Sequence, residues 1–246
     1  MTRKKKEEDQ DNWKRIPRGF VDGLKLCSQI IGKKNQLREL EAVAIRDKFM
    51  WASDNDRITR YELPTSMDDM NLPFKAVEIL LKSSVEPNKY RLEPEDKAGS
   101  GTVHFTIGKS KMKFALLAVD YPVAKMEEIV KSYEGTETMY AFPNGFDEAL
   151  DTSGCFASGT KDYELPSVLI SRKENELIVQ SEDAVGGANI PVSFTGEMFA
   201  DGITIRVPPD FLKKILDTTR SFALDGNVMI FRSDAFRHLM TVKLEG

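Results

Sequence analysis

From Phe20 onward, apolar positions recur at helical spacing. Phe20, Leu24, Cys27 and Ile31 are separated by four, three and four residues and form one face of a helix. Arg18, Asp22, Lys25, Gln29 and Lys33 fall on the opposite face, and Gly32-Lys33-Lys34-Asn35 marks the exit. The period then changes. Ala42 to Ile45 and Phe49 to Ala52 read as strands around the turn Arg46-Asp47-Lys48, and Arg57 to Leu63 reads as a third strand after Ser53-Asp54-Asn55-Asp56. Pro73 is placed to open a helix through Phe74, Val77, Leu80 and Leu81. Strands are expected near Lys89–Glu93, at Thr102–Ile107 and from Lys111 to Val119, ending at Asp120-Tyr121-Pro122.

The second half runs in the same order. Gly145-Phe146 starts a helix as Gly19-Phe20 does, with Phe146, Ala149 and Leu150 on one face. Val168 to Ser171 and Glu176 to Ser181 pair around Lys173-Glu174-Asn175. Pro208-Pro209 opens a helix through Phe211, Leu212, Ile215 and Leu216, and Ser221–Leu224, Val228–Phe231 and Leu239–Leu244 follow as strands. Phe20 precedes Val43 by nearly the distance at which Phe146 precedes Val168, and Ile79-Leu80 follow Pro73 as Ile215-Leu216 follow Pro209. Two copies of one α+β unit are expected: residues 18–122 and 141–246, joined by a connector at 123–140. Residues 1–17 read as a flexible charged tail, because Arg3-Lys4-Lys5-Lys6 and the acids after them supply almost nothing to bury. As a basic arm that tail would touch phosphates.

Composition narrows the class. Of 246 residues, 41% are apolar and 30% charged, enough for real cores in a soluble protein. No apolar run reaches the length of a membrane helix, and the polar start lacks a secretory h-region. Cys27 and Cys155 match no metal spacing and sit among apolar residues, which reads as reduced core cysteines in a cytosolic protein. The net charge of -4 excludes a protein that coats DNA with its whole surface. Any contact with DNA must come from a local basic surface.

Catalytic chemistry finds few candidates. His104 and His238 lie in strand-like segments outside any zinc-binding pattern. There is no G-x-S-x-G, P-loop or G-x-G-x-x-G, and Gly99-Ser100-Gly101 and Gly186-Gly187 read as turns. Asp54 and Asp56 are the best metal candidates, with Asp68-Asp69 as possible further carboxylates. A hairpin turn stabilised by Asx hydrogen bonds is the favoured reading of these residues over a metal site. Two readings follow from these residues: a metal-dependent hydrolase or nuclease centred on Asp54 and Asp56, and a non-catalytic two-domain binding module.

Three stretches resemble the DNA sliding clamps, above all the bacterial DNA polymerase III beta subunit, and more distantly phage clamps and proliferating cell nuclear antigen. Trp51-Ala52-Ser53-Asp54-Asn55-Asp56-Arg57-Ile58 is similar to the beta subunit's A-T-D-G-H-R-L segment. Asp120-Tyr121-Pro122 is similar to the D-F-P that ends its middle domain. Val207-Pro208-Pro209-Asp210-Phe211-Leu212 and Leu239-Met240-Thr241-Val242-Lys243-Leu244 resemble the second helix and final strand of its last domain. Asn55-Asp56 stands where the beta subunit has glycine and histidine, so a contact made by that histidine does not transfer.

The resemblance implies a non-enzymatic ring of repeated clamp domains, with helices on the inner face of antiparallel sheets and no cofactor. Such a ring encircles duplex DNA without sequence preference, tethers a replicative DNA polymerase for processive synthesis and can require a clamp loader. Six domains close a family ring, so a two-domain chain implies a homotrimer, and its two-domain form points to a phage-like protein acting in the host cytoplasm. Phosphate contacts without base readout would come from Lys25, Lys33, Lys34, Lys75, Lys82, Lys213, Lys214 and Arg220. The acidic outward residues Asp147, Glu148 and Asp151 oppose this on the third helix, so either that helix is turned away from DNA or Lys161 and its neighbours compensate. Carried over from the family, the pocket for a partner's apolar peptide would comprise Ser53, Arg57, Ile58, Ile129, Val130, Met240 and Val242.

Overall fold

The computed structural model describes residues 12–31, 37–93, 101–135, 138–157, 165–182 and 186–245. The chain divides into two compact units, Met1–Ile129 and Val130–Gly246.

In the first unit, strand β1 (Lys14–Arg15) precedes helix α1 (Phe20–Ser28). Then come β2 (Ala42–Arg46), β3 (Phe49–Ser53), β4 (Arg57–Glu62) and β5 (Met70–Pro73). Helix α2 (Phe74–Lys82) leads to β6 (Pro87–Glu93), β7 (Thr102–Ile107) and β8 (Ser110–Ala115). Strands β5-β2-β3-β4 lie side by side, as do β1-β6-β7-β8, with antiparallel pairing throughout. Tight turns fix the registers. Asp47 (φ 52°) and Gly108 (φ 58°) supply the left-handed residues that short hairpins need. One core joins α1, α2 and both sheets through Phe20, Leu24, Cys27, Val43, Met50, Val77, Leu80, Tyr90, Val103 and Phe105. In β7 the alternation is plain, with Val103, Phe105 and Ile107 buried and Thr102, His104 and Thr106 facing the other way.

Helix α3 (Val123–Ser132) runs across the division between the units. In the second unit, β9 (Tyr140–Ala141) precedes α4 (Phe146–Gly154). Strands β10 (Val168–Lys173), β11 (Glu176–Glu182), β12 (Gly187–Ser193) and β13 (Thr204–Val207) follow, then α5 (Pro209–Leu216). The chain ends in β14 (Ser221–Asp225), β15 (Val228–Arg232), β16 (Phe236–Thr241) and β17 (Lys243–Glu245). The orders here are β12-β11-β10-β13-β17 and β16-β15-β14-β9. Phe142 stacks between Phe146 and Phe222, with ring centroids 4.2 and 4.1 Å away, and ties β9, α4 and β14 into one core.

Each unit is thus strand, helix, four strands, helix, three strands, with β17 added in the second. The observed architecture is α+β with antiparallel sheets. Several details differ from the sequence expectation. Pro73 does not begin α2 but ends β5 in extended conformation (ψ 149°), while Phe74 N–H bonds Glu41 O at 2.9 Å. The charged tail stops short of Pro17, because Lys14 and Arg15 pair with Tyr90 and Lys89 of β6. The connector holds a helix, α3, whose Met126 and Val130 are buried. Gly187 opens a strand instead of forming a turn, and β12 and β13 add two strands to those expected from the sequence. Cys27 is buried, but Cys155 is exposed at the end of α4.

Candidate functional site

The helices carry most of the cations expected to meet phosphate. On α1, Lys25 is exposed and 3.8 Å from Asp22, a loose pair one turn away. On α2, Lys75 and Lys82 both reach Glu78, at 2.7 and 2.9 Å. These two ammonium groups hold the Glu78 carboxyl well below its ordinary range, at about 2. On α5, Lys213 pairs with Asp151 of α4 at 2.7 Å, and Lys214 is exposed. The acids of α4 that seemed to oppose DNA binding are therefore partly neutralised within their own unit. Arg220 has a different occupation. Its guanidinium pairs with Asp147 and donates to the carbonyls of Phe142 and Pro143, at 3.1 and 2.5 Å. It pins the start of α4 to β14. Lys33, Lys34 and Lys161 lie outside the described residues.

The turn between β3 and β4 is built from its own side chains. Asp54 accepts the Arg57 backbone N–H at 2.9 Å and the Arg57 guanidinium at 2.9 and 2.5 Å. Ser53 donates its hydroxyl to Arg57 O at 2.8 Å, and Asn55 takes a left-handed backbone, φ 78°. Arg57 is 5% exposed, and the Asp54 carboxylate offsets its charge there. That commits Asp54 to structure. Asp68 pairs with Lys14, and Asp69 accepts the Asp47 N–H. Among the described residues no group of three His, Cys, Asp or Glu side chains is placed to hold a metal ion.

The remaining residues assigned to a peptide pocket fall into two sets. In the first unit, Ser53, Arg57 and Ile58 are buried and Ile129, on α3, is half-buried. In the second, Val130, Met240 and Val242 are buried, with Met240 on β16 and Val242 just after it. Tyr121, of the Asp120-Tyr121-Pro122 stretch, is also buried, and burial pushes its phenol far up. Its carbonyl accepts Val123 N–H at 2.7 Å at the start of α3.

These two units, each with two helices over antiparallel strands, can be set beside solved structures. The DNA polymerase III beta subunit of Borrelia burgdorferi, solved with a natural product, superposes with a TM-score of 0.73. The match covers 96% of this chain and 66% of that one, at 12% identity. The fold is that of the bacterial beta sliding clamps. The Helicobacter pylori beta clamp bound to a DNA ligase peptide gives a TM-score of 0.72 at 15% identity, over 94% of this chain and 65% of that one. The DNA polymerase sliding clamp of Pseudomonas aeruginosa gives 0.69 at 14% identity, over 95% and 67%. The present chain thus spans about two thirds of the length of each beta clamp. No protein-family model and no curated protein sequence matches it. No helix among the described residues is long and apolar enough to cross a membrane.

Proposed function

We propose that the protein is a non-enzymatic sliding clamp that encircles duplex DNA and tethers a polymerase to it. The observation that carries this reading is the beta-clamp fold over nearly the whole chain, repeated twice within it. Lysines on α1, α2 and α5 give the phosphate contacts, without groups arranged to read bases. Lys25, Lys75, Lys82, Lys213 and Lys214 are the candidates; Arg220 serves chiefly to hold the second unit together.

Six clamp units make a ring, so three copies close it. A head-to-tail contact repeated by rotation gives a closed assembly. The strands able to make it are β8 in the first unit and β12 in the second. At six and seven residues they are longer than β1, β5, β9 and β17, which have two to four. Each lies at the end of its sheet order, with backbone groups available for another copy. Pro191 within β12 suits a terminal strand, since proline has no N–H to give a ladder. The partner peptide is assigned, on the family resemblance, to the β3–β4 turn, Ile129 and Val130 of α3, and Met240 and Val242.

The test couples mass to topology. Light scattering at micromolar concentration should return three chain masses, and retention should be greater on nicked circular duplex than on the same duplex linearised. A monomer that holds both DNAs equally overturns the ring. Magnesium-dependent cleavage of either DNA returns the nuclease reading centred on Asp54 and Asp56.

A further inference from the structure

Among the described residues of the first unit, five cations gather on one face of a sheet, on the side turned from the core. Strands β1-β6-β7-β8 turn Tyr90, Val103, Phe105 and Phe114 to the core, so the alternate positions form the other face. Register aligns Arg15 with Lys89, Lys89 with Thr106, and Thr106 with Lys111. The next row aligns Arg91 with His104 and His104 with Lys113. Arg15, Lys89, Arg91, Lys111 and Lys113 therefore share a face on which, among the described strand positions, Glu93 is the one carboxylate. Glu93 meets Arg91 at 3.0 Å, Lys113 at 3.4 Å and His104 at 3.0 Å, and so offsets only part of that charge. The whole chain, by contrast, has a net charge of -4.

A half-buried tryptophan sits within this patch. The Arg91 guanidinium and the Lys111 ammonium lie 5.4 and 5.3 Å from the Trp13 ring centroid, and His104 meets the ring edge-on at 6.5 Å. Arg91 is held by Glu93, whereas Lys111 is exposed and its long side chain can swing clear of the ring. Displacing Lys111 would free ring surface for a flat π-system, with cations on neighbouring strands.

We propose that this face binds a single-stranded nucleic-acid segment, with phosphates along Arg15, Lys89, Lys111 and Lys113 and one base stacked on Trp13. The tryptophan favours this occupant over an acidic peptide. A carboxylate-rich chain needs the cations but gains little from an indole, whereas every base has a face to stack. A duplex keeps its bases paired and would leave the ring unused. Side chains project out of the plane in which a terminal strand hydrogen-bonds, so Lys111 and Lys113 remain available even with β8 paired to another copy. All the residues of the patch lie in one unit of a single chain, so it exists without a ring.

The test uses the full-length protein and a short fluorescently labelled oligothymidylate, too short to be encircled stably. Binding should weaken with salt at a log–log slope of about -3, from four phosphates at ~0.7 each. Tryptophan emission should fall on binding. Trp51 is 1% exposed and beyond reach, so the quench reports Trp13. Trp13→Leu should abolish the quench and weaken binding about tenfold. Lys111→Glu with Lys113→Glu alters only exposed side chains, and should weaken binding at least as much with the circular dichroism unchanged. Unaltered affinity in that double variant overturns the proposal. So does loss of binding on replacing Lys25, Lys75 and Lys82 instead, which would return the strand to the helices. Equal affinity for blunt duplex without a quench, or binding of oligoglutamate in place of the oligothymidylate, overturns it as well.

Discussion

Gly19 and Gly145 hold the same backbone conformation at the same place in their two units. Each immediately precedes the first helix, with φ of 78° and 85°. Around them, Phe20 N–H bonds Pro17 O and Phe146 N–H bonds Pro143 O, while Ile16 N–H bonds Asn88 O and Phe142 N–H bonds Arg220 O. Ile16-Pro17-Arg18-Gly19-Phe20 and Phe142-Pro143-Asn144-Gly145-Phe146 are one structural device used twice. Their surroundings differ. A Cβ on Gly19 would lie 2.6 Å from the Tyr61 hydroxyl, whereas on Gly145 its nearest neighbour is Val192 at 3.8 Å.

That difference sets the first prediction. Gly145→Ala should cost about 1–2 kcal/mol, the price of a left-handed backbone with a Cβ. Gly19→Ala should cost more, by about 1–3 kcal/mol, because the Tyr61 ring must move. Urea unfolding followed by circular dichroism measures both, and equal losses would show that Tyr61 yields freely.

The second concerns the β3–β4 turn. Asp54→Ala removes the carboxylate that takes two hydrogen bonds from the nearly buried Arg57 guanidinium, and should destabilise the protein by about 3–5 kcal/mol. Asp54→Asn keeps an acceptor for the Arg57 N–H and should recover part of that loss. Thermal unfolding of both variants checks the order. Neither parent nor variant should cleave DNA with Mg²⁺.

Acid titration probes α2. The folded pKa of Glu78, about 2, lies below its ordinary 4.5, so the charged form is favoured by the fold. The stabilisation is present above pH 4.5 and is lost as pH falls from there towards 2. Glu78→Gln should flatten stability against pH across that window. Salt should mute the difference, since the pairs are at the surface. The same substitution releases Lys75 and Lys82, so retention on circular duplex should rise.

A fourth prediction separates packing from partner binding. Met240 is 1% exposed, and Met240→Ala should cost about 2–5 kcal/mol whatever the site does. Ile129 is half-buried, so Ile129→Ala should leave the fold largely intact. Calorimetry gives the stabilities. If the family's peptide site is present, Ile129→Ala weakens capture of a polymerase's apolar peptide at unchanged melting temperature.

Much of this fold is legible along the chain. Phe20, Leu24 and Cys27, or Val103, Phe105 and Ile107, reveal their elements because burial imposes a period on them. The tight turns at Asp47 and Glu174 lie in the polar stretches that mark them. Other elements leave no such trace. Strand β12 contains Gly187, Asn189 and Pro191, a poor strand composition tolerated where only one neighbour is paired. Lys14 and Arg15 form a strand through backbone bonds to β6, which side-chain polarity conceals. The cationic sheet face leaves no linear signal, because its residues come from separate strands and align only through register. The lysines of the helices were legible, but their acidic partners were less so: Asp151 and Lys213 meet only when α4 packs beside α5.

The pairing of β1 with β6, and of β9 with β14, has a bearing on how the protein is made. Lys14 must find Tyr90, and Ala141 must find Ser221, across well over half of each unit. A chain leaving the ribosome therefore holds its opening strand idle until the later sheet has been synthesised, and neither unit can close early. Such non-local pairing slows folding through the entropy of long loop closure. The first unit can be complete while the second is still emerging, so the repeat allows folding in two successive steps during synthesis.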